Sequence, residues 1–509
     1  LKSSHRCHDC KWSPANCLNL MACVRLALLV SCLVFAVSDA KAFVGPEKVE
    51  NFAGYVTVNE TRNLFYWFFE SRGNPSTDPF ILWMTGGPGC SGMLALFVEN
   101  GPYHIEQSGS LTLNPYSWNE KANILFIDQP VGTGFSYDSN PLDIGVTNEH
   151  QMAANMWEFF QKWFASHTKY ADLPFFIAAE SYGGHYAPAL AYHIQQQNRA
   201  GAGKLINLKG VMIGDGLVDP VNQYPSYPTY VKEHQKQIGV TNAVIDIMEG
   251  ALVACLPLAK ACGSYNTTCQ ACNSPKTPDD SCGPPKDDPK GLPCCNDWTG
   301  VPCLNETLRF LACSNAYDVC NYGELLPIQS SGVNLYDVTK PCTVKPLCYD
   351  FSKETTWLND AKNIAAIGAK KKSWTSCNRA VEVKLVFAGD WMLTFKDAIR
   401  SLLEGGVPVL IYHGENDIIV NWMGGQSWTN KLEWSGKAGF AAAKNTTYAV
   451  DGADAGSFKS HKGLTFMKLA SAGHLVPMDQ PKVALDMVSK FLAGQPFESV
   501  PQNDSQIVV

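Results

Sequence analysis

The chain has 509 residues, of which 46% are apolar and 17% are charged, and its formal net charge is −7. The apolar fraction is too high for global disorder, and the length suits one large domain with an insertion or two to three smaller domains. A mildly acidic chain without a long basic run is not typical of a nucleic-acid binder, because such binders neutralise phosphates with Lys and Arg.

The N-terminal stretch has the pattern of a secretory signal peptide. An apolar run at Leu26–Val37 ends in the small-residue stretch 38–42. This combination is typical of a cleaved signal, since a membrane-spanning helix needs roughly 20 apolar residues. We interpret residues 1–42 as upstream sequence plus signal peptide, and we predict no membrane span.

Cysteine usage indicates an oxidising compartment. Five of the 19 Cys residues precede residue 40, and thirteen of the remaining 14 lie between Cys255 and Cys377, which predicts a disulfide framework. The CxxC pair Cys269 and Cys272 raises zinc as an alternative, but no His pair of matching spacing accompanies it, so no metal is predicted. We expect a secreted, lysosomal or vacuolar protein. Five sequons for N-glycosylation agree with this route, at Asn59, Asn266, Asn305, Asn445 and Asn503.

In chain order, short apolar runs predict buried strands that alternate with helices. A strand pair is predicted at Phe52–Val58 and Leu64–Phe69, split by a polar turn at 59–63. A helix is predicted around Met152–Trp163, where apolar residues recur at helical spacing. This alternation indicates an α/β fold with a mainly parallel sheet. Five further runs have the continuous apolar pattern of parallel strands, at Phe80–Met84, Ile124–Ile127, Phe175–Ala178, Val211–Ile213 and Val409–Tyr412.

Between residues 219 and 355 the pattern changes to a stretch rich in Cys, Pro, Lys and Asp without sustained strand periodicity. We predict a disulfide-bonded insertion there, in which disulfides substitute for a proper core. A maturation cut, if one exists, is expected in Pro275–Pro293. The predicted organisation is residues 43–218 for the first half of the main domain, 219–355 for the insertion, 356–496 for the second half and 497–509 for a flexible tail.

Ser181 lies in the setting expected of a nucleophile. It follows the predicted strand Phe175–Ala178 and precedes a helical stretch, with Gly183 and Gly184 close by. A sharp strand-to-helix turn of this kind lifts a hydroxyl above the sheet edge and needs small neighbours. The usual pattern is G-x-S-x-G, and here Ala179 takes the first position. A turn serine that only caps the helix is the alternative.

An activated serine needs a base and an acid, which follow the nucleophile along the chain in hydrolases of this type. After the strand Val409–Tyr412 the sequence offers Asp417, with Glu415 as a competitor on spacing alone. His474 follows a later apolar run and is the candidate base. His413 is interpreted as a core or loop histidine.

At this point the sequence resembles a known family, the serine carboxypeptidases. Several long motifs in the same order make this resemblance far more specific than a lone G-x-S-x-G. It covers roughly Phe52 to Leu492, and the Cys-rich insertion is the least similar part. The matching stretches are 83–91 (WMTGGPGCS), 128–137 (DQPVGTGFSY), 180–184 (ESYGG) and 473–477 (GHLVP), and 387–392 (FAGDWM) and 421–424 (NWMG) are similar to carboxypeptidase Y and its relatives.

The resemblance implies an α/β-hydrolase fold, with the insertion as a cap, and a catalytic triad of Ser181, Asp417 and His474. It favours Asp417 over Glu415 for the acid. It further implies an oxyanion hole made by the backbone N–H groups of Gly87 and Tyr182, which would meet the developing charge without reorganisation. The same matching implies a disulfide between Cys90 and Cys377.

The resemblance also implies a site for the terminal carboxylate of the substrate. Trp83, Thr85 and Gly86 on the glycine-rich turn match this site, with Thr85 where the family carries Asn, and Glu99 and Glu180 complete it. If the two Glu residues hold a shared proton, they become a donor to the substrate, so binding is expected to strengthen at acid pH. The alternatives are a helix-start acid for Glu180 and a solvated surface residue for Glu99.

The predicted function is release of C-terminal, mainly apolar, residues from peptides and proteins, without a metal or organic cofactor. Peptide and protein substrates are the expected partners, together with a second copy of the chain, since members of the resembling family are often dimers. The alternatives are an acyltransferase on the same scaffold and a secreted binding or protective protein.

Overall fold

The computed structural model describes residues 38–263, 306–345 and 347–498. The signal-like run, the Cys269–Cys272 pair, Pro275–Pro293 and the sequons at Asn266, Asn305 and Asn503 therefore lie outside the described residues. The strands, numbered in chain order, are β1 Ser38–Ala42, β2 Asn51–Val58, β3 Arg62–Phe69, β4 Phe80–Met84, β5 Tyr103–Ile105, β6 Leu111–Leu113, β7 Asn123–Ile127, β8 Tyr137–Asp138, β9 Phe175–Glu180, β10 Leu208–Gly214, β11 Val409–Gly414, β12 Thr446–Val450, β13 Ala453–His461 and β14 Leu464–Leu469.

Twelve of these strands form one twisted sheet in the order β1-β2-β3-β7-β4-β9-β10-β11-β14-β13-β12, with β8 against β3. The six central strands from β7 to β14 run parallel, and the strands on either side are antiparallel. The predicted buried strands are all confirmed, because each continuous apolar run is buried on both faces of the sheet. The turn between β2 and β3 is shorter than predicted, since β3 already begins at Arg62.

Helices cover both faces of the parallel strands. The predicted helix around Met152 is confirmed as Glu149–Ser166, whose N-terminus is capped by the Asn148 side chain. The helices are α1 Gly92–Val98, α2 Glu149–Ser166, α3 Gly183–Ala200, α4 Pro220–Gln223, α5 Ser226–Glu233, α6 Gln235–Ile238, α7 Asn242–Gly263, α8 Glu306–Glu324, α9 Leu326–Gln329, α10 Ser352–Asn359, α11 Ala361–Ala366, α12 Arg379–Phe387, α13 Lys396–Glu404, α14 Trp422–Lys431, α15 Lys437–Ala442, α16 Val476–Asp479 and α17 Pro481–Leu492.

The described part of the insertion is helical. Its longest helices, α7 and α8, are joined by two disulfides, Cys255–Cys320 and Cys262–Cys313. Met248 on α7 is fully buried and belongs to the same apolar cluster as the helices on one face of the sheet. The expectation that disulfides substitute for a core needs correction here, because apolar packing and disulfides act together.

One described helix, Asn242–Cys262 within α7, is long and apolar enough to cross a membrane. Length and composition alone are weak support for a span, since helices of water-soluble proteins and signal sequences can satisfy the same criteria. In this fold the helix lies against α8, to which the two disulfides bind it.

Candidate active site

Ser181 lies in a strained turn between β9 and α3. Its φ of 62° is left-handed, a region that residues other than glycine rarely adopt. Hydrogen bonds fix the turn on both sides: Ser181 N–H donates to the Gly214 carbonyl at 2.9 Å, and Leu217 N–H donates to the Ser181 carbonyl at 3.0 Å. Small neighbours are required, since a Cβ on Gly184 would lie 2.4 Å from the Leu217 carbonyl oxygen. The sequence expectation of a sharp strand-to-helix turn at Ser181 agrees with this geometry.

His474 and Asp417 meet beyond the carboxyl ends of β14 and β11. His474 Nδ1 lies 2.8 Å from Asp417 Oδ2, which also accepts a hydrogen bond from Val420 N–H at 3.2 Å. Both side chains are buried, and the His474 N–H donates to the Tyr336 carbonyl at 2.8 Å. A buried carboxylate on Nδ1 leaves Nε2 free to act as a base.

The competing candidates lie elsewhere. Glu415 is partly exposed and pairs with Lys468 at 2.8 Å, away from His474. His413 is fully buried, and its Nδ1 donates to the Val420 carbonyl at 3.0 Å, so the core interpretation of this residue holds. Burial lowers the pKa of His413 to about 4, which keeps its ring neutral. The acid that contacts His474 is therefore Asp417.

The glycine-rich turn after β4 packs directly on the serine turn. A Cβ on Gly86 would lie 2.5 Å from the backbone nitrogen of Tyr182 and 2.8 Å from Ser181 Cβ, so only glycine fits. Gly87 follows with a φ of 110°. Close contact between the two turns places Gly87, Ser181 and Tyr182 on the wall of the same cavity.

A disulfide between Cys90 and Cys377 holds the glycine-rich turn to the second half of the chain, and this is the pair that the family resemblance implied. Two backbone hydrogen bonds reinforce it. Ser91 N–H donates to the Ser376 carbonyl at 2.8 Å, and Asn378 N–H donates to the Gly89 carbonyl at 2.9 Å. The disulfide and the two hydrogen bonds together fix the glycine-rich turn against residues 376–378.

Glu99 and Glu180 form a buried carboxyl pair beside the serine. Each is only 3% exposed, which excludes the solvated reading of Glu99. Burial raises the pKa of Glu99 to about 7, and burial together with the Glu99 charge raises the pKa of Glu180 well above its ordinary value. One Oε atom of each residue has no hydrogen-bond donor among the described residues, an arrangement that a shared proton satisfies. Thr85 and Gly86 line the same cavity as this pair, whereas Trp83 is fully buried behind Thr85, and its Nε1 donates to Thr85 Oγ1 at 3.0 Å.

A cavity of about 470 Å³ connects these groups. Ser181, His474, Glu99 and Glu180 line its polar end. The rest of its wall is rich in aromatic and aliphatic side chains, among them Tyr224, Tyr227, Tyr317, Tyr349, Phe351, Trp391, Leu325 and Ile419. The cavity therefore combines a polar reaction end with apolar walls.

Asp215 was not singled out from the sequence, although it directly follows a predicted strand. It lies at the end of β10, fully buried, between the serine turn and the Asp417 loop. Ligand atoms of Asp215, Asp417 and His474 lie within 4.8 Å of one another, a spacing that a metal ion could bridge. The His474 Nδ1 and an Asp417 oxygen are already hydrogen-bonded to each other, so this donor set fits a proton-sharing chain better than a metal centre.

A parallel sheet with a strained serine turn and a histidine at its carboxyl edge defines the α/β-hydrolase class. The sequence profile of the serine carboxypeptidases matches residues 42–494. The chain belongs to the serine carboxypeptidase family, and it is therefore a hydrolase that acts on peptides.

Individual relatives agree. Serine carboxypeptidase-like 49 of Arabidopsis thaliana is 38% identical over 455 residues, which cover 88% of this chain and 77% of the relative. Carboxypeptidase Y of Candida albicans is 36% identical over 454 residues, which cover 89% of this chain and 74% of the relative. The crystal structure of Kex1Δp, a prohormone-processing carboxypeptidase from Saccharomyces cerevisiae, matches with a TM-score of 0.71 at 23% identity, covering 90% of this chain and 96% of that one. The predicted family and the α/β-hydrolase fold are confirmed.

Proposed function

We propose that this carboxypeptidase works through a triad of Ser181, His474 and Asp417. The observation that carries the proposal is the buried hydrogen bond of 2.8 Å between His474 and Asp417 at the edge of the cavity that contains Ser181. His474 Nε2 takes the Ser181 proton, Ser181 attacks the scissile carbonyl, and the protonated His474 releases the C-terminal residue. Water, activated by the same histidine, then hydrolyses the acyl-enzyme.

The backbone N–H groups of Gly87 and Tyr182 serve as the oxyanion hole in this mechanism. The close packing of the two turns around Gly86 supports this role, because it leaves both N–H groups little freedom to move. Fixed donors of this kind stabilise the tetrahedral intermediate without reorganisation.

Specificity for the chain terminus comes from the turn residues Trp83, Thr85 and Gly86 and from the Glu99–Glu180 pair. While the pair holds its proton it donates a hydrogen bond to the substrate carboxylate, and after the proton is lost two like charges repel that carboxylate. Binding is therefore favoured at acid pH. The apolar side chains around the cavity support a preference for apolar residues at the scissile bond.

Assay of an N-blocked dipeptide ending in Leu or Phe, from about pH 4 to 8, tests the proposal. We expect release of the free amino acid to be strongest on the acid side and absent from Ser181→Ala. Release that continues to increase from about pH 7 to about pH 8 would retain the triad and discard the shared proton of the Glu pair, because the pKa of Glu99 is raised to about 7. Folded protein without release at any pH would favour the acyltransferase or the secreted binding protein.

The described disulfides are consistent with the secretory pathway. We propose an acidic destination, a lysosome or vacuole, because the carboxyl pair requires its proton. We also propose that residues 219–355 form a cap insertion on the hydrolase domain and that the chain forms a homodimer.

A further inference from the structure

Asp215 carries a carboxyl group with no role in the mechanism above. Its Oδ1 accepts a hydrogen bond from Gly414 N–H at 2.9 Å. Its Oδ2 has no hydrogen-bond donor among the described residues, and the same holds for Oδ1 of Asp417, although both atoms are buried. One oxygen of the Asp215 carboxyl lies within 4.8 Å of one oxygen of the Asp417 carboxyl. Two neighbouring buried carboxyl groups, each with an oxygen that lacks a donor among the described residues, call for a proton between them.

The contacts of Asp417 decide which residue holds that proton. Asp417 Oδ2 accepts hydrogen bonds from two N–H groups, those of His474 and Val420, and such contacts favour an ionised carboxylate. Among the described residues, the Asp215 carboxyl accepts a hydrogen bond from a single N–H group, and burial followed by the Asp417 charge raises its pKa well above the ordinary value. The proton therefore belongs to Asp215, which can donate it to Asp417 Oδ1.

The other groups around Asp215 do not favour its ionisation. Asp479 from α16 and Glu180 from β9 add negative potential at this position. His413 Nδ1 lies 3.7 Å from Asp215 Oδ1, but this ring is neutral because burial lowers its pKa to about 4. Ionised Asp215 would thus face acids and a neutral ring.

We propose that Asp215 is a protonated positioning residue, which donates a hydrogen bond to Asp417 Oδ1 and so extends the triad to Asp215–Asp417–His474–Ser181. This inference rests on the proposed triad. The donated bond fixes the Asp417 carboxylate in the orientation that His474 Nδ1 requires, and a neutral Asp215 leaves a single negative charge behind the imidazole.

The variant Asp215→Asn tests the proposal, because a carboxamide has nearly the same shape as a protonated carboxyl group and likewise offers one acceptor oxygen and one donor group. In Asp215→Asn the amide oxygen still accepts from Gly414 N–H and the NH₂ group donates to Asp417, whereas an ionised carboxylate could not be copied in this way. We measure hydrolysis of an N-blocked amino-acid ester without a free carboxylate, so that the Glu99–Glu180 pair has no part in substrate binding. We expect kcat of Asp215→Asn within about twofold of wild type, and kcat of Asp215→Ala lower by about tenfold or more with KM nearly unchanged, since Ala leaves a buried carboxylate oxygen unpaired.

A spectroscopic readout is independent of activity. At about pH 6.5, where unshifted carboxyls are ionised, the infrared difference between wild type and Asp215→Asn should contain the carbonyl band of a protonated acid. Asp219→Asn is the matched control, because Asp219 is equally buried near Asp215 but forms an ion pair with Lys396 at 2.9 Å. Its difference spectrum should contain no such band.

Three results would overturn the proposal: no protonated-acid band, an Asp215→Asn variant as slow as Asp215→Ala, or a folded Asp215→Ala variant with wild-type kcat. Asp417→Asn separates this failure from that of the triad. If Asp417→Asn loses most of its activity while Asp215→Ala keeps the kcat of the wild type, only the role of Asp215 is wrong. If Asp417→Asn stays active, the triad itself is wrong.

Discussion

At the scale of single residues, two acids follow β11 in the same loop, and their partners separate their roles. Asp417 contacts His474, whereas Glu415 pairs with Lys468. We expect Asp417→Asn to lower kcat by about 10³ to 10⁴, because the neutral amide no longer holds the histidine in the required tautomer. Glu415→Gln is the control and should leave kcat within about twofold, as a partly exposed ion pair contributes little. Steady-state kinetics of both variants on one peptide checks this, and equal losses would refute the assignment.

The carboxyl pair leads to a second prediction at this scale. Burial raises the pKa of Glu99 to about 7, and burial together with the Glu99 charge raises the pKa of Glu180 well above its ordinary value, so the pair is protonated at acid pH and begins to ionise as the pH rises past about 7. We expect KM for a peptide to rise by up to about tenfold per pH unit beyond that point. In the double variant Glu99→Gln/Glu180→Gln this rise should disappear, because Gln donates without titrating. An ester substrate is the control, and a rise in its KM of equal size would contradict the interpretation.

At the scale of elements, the disulfide-bonded helix pair α7–α8 contributes to the wall of the active-site cavity. Tyr317 and Asn321 on α8 line the cavity, and the disulfides Cys255–Cys320 and Cys262–Cys313 hold this helix to α7. Replacing all four Cys by Ser should cost about 2–5 kcal/mol of unfolding free energy, because a long loop regains its freedom in the unfolded chain. KM should rise as well, since α8 loses its tether.

The control for this prediction is Cys342→Ser/Cys348→Ser, which opens a disulfide whose Cys residues are only 6 positions apart. Chemical denaturation with activity measured in parallel should give a smaller loss of stability for this variant and an unchanged KM. Equal effects of the two changes would mean that the α7–α8 tether has no particular part in shaping the cavity.

At the scale of the whole molecule, buried acids make stability depend on pH. Burial raises the pKa of Asp128 to about 6 and that of Glu324 to about 8, and it also raises the pKa values of Glu149, Glu180 and Asp215. The folded chain therefore binds more protons than the unfolded chain, so this contribution to stability falls as the pH rises from about 4 to 8. We expect a thermal midpoint several degrees lower at pH 8 than at pH 5, measured by circular dichroism.

The variant Glu324→Gln isolates the part of this pH-dependent stability that one buried acid contributes. Glu324 is fully buried and neither of its carboxyl oxygens has a donor among the described residues. The variant should reduce the loss of stability between pH 5 and pH 8, because Gln does not titrate. Asp219→Asn is the control: it breaks the ion pair with Lys396, so it should lower stability without reducing this loss. A thermal midpoint of the wild type that rises with pH would contradict the prediction.

Much of the fold could be predicted, because short runs of neighbouring apolar residues are enough to identify its buried strands. The runs at Phe80–Met84 and Val409–Tyr412 are apolar on both faces, and only a strand covered on both sides of a sheet can bury them. The helix pair of the cap was not predicted, because apolar periodicity in α7 lies among Cys residues that indicated only disulfides. The antiparallel strands β12 and β13 were also missed, since their sequence mixes exposed and buried positions.

The sequence by itself determined the family, the central strands and the candidate nucleophile, because motif order and hydrophobic runs are properties of neighbouring residues. The family resemblance favoured Asp417 over Glu415 and placed Glu99 with Glu180, but the spacing of these residues along the chain did not. Only the tertiary structure showed the contacts themselves, with Asp417 on His474 and Glu415 on Lys468, and it alone placed Asp215 near Asp417. These contacts join residues on different strands and loops. They depend on strand order and loop packing, and the protonation of each acid then depends on how deeply that packing buries it.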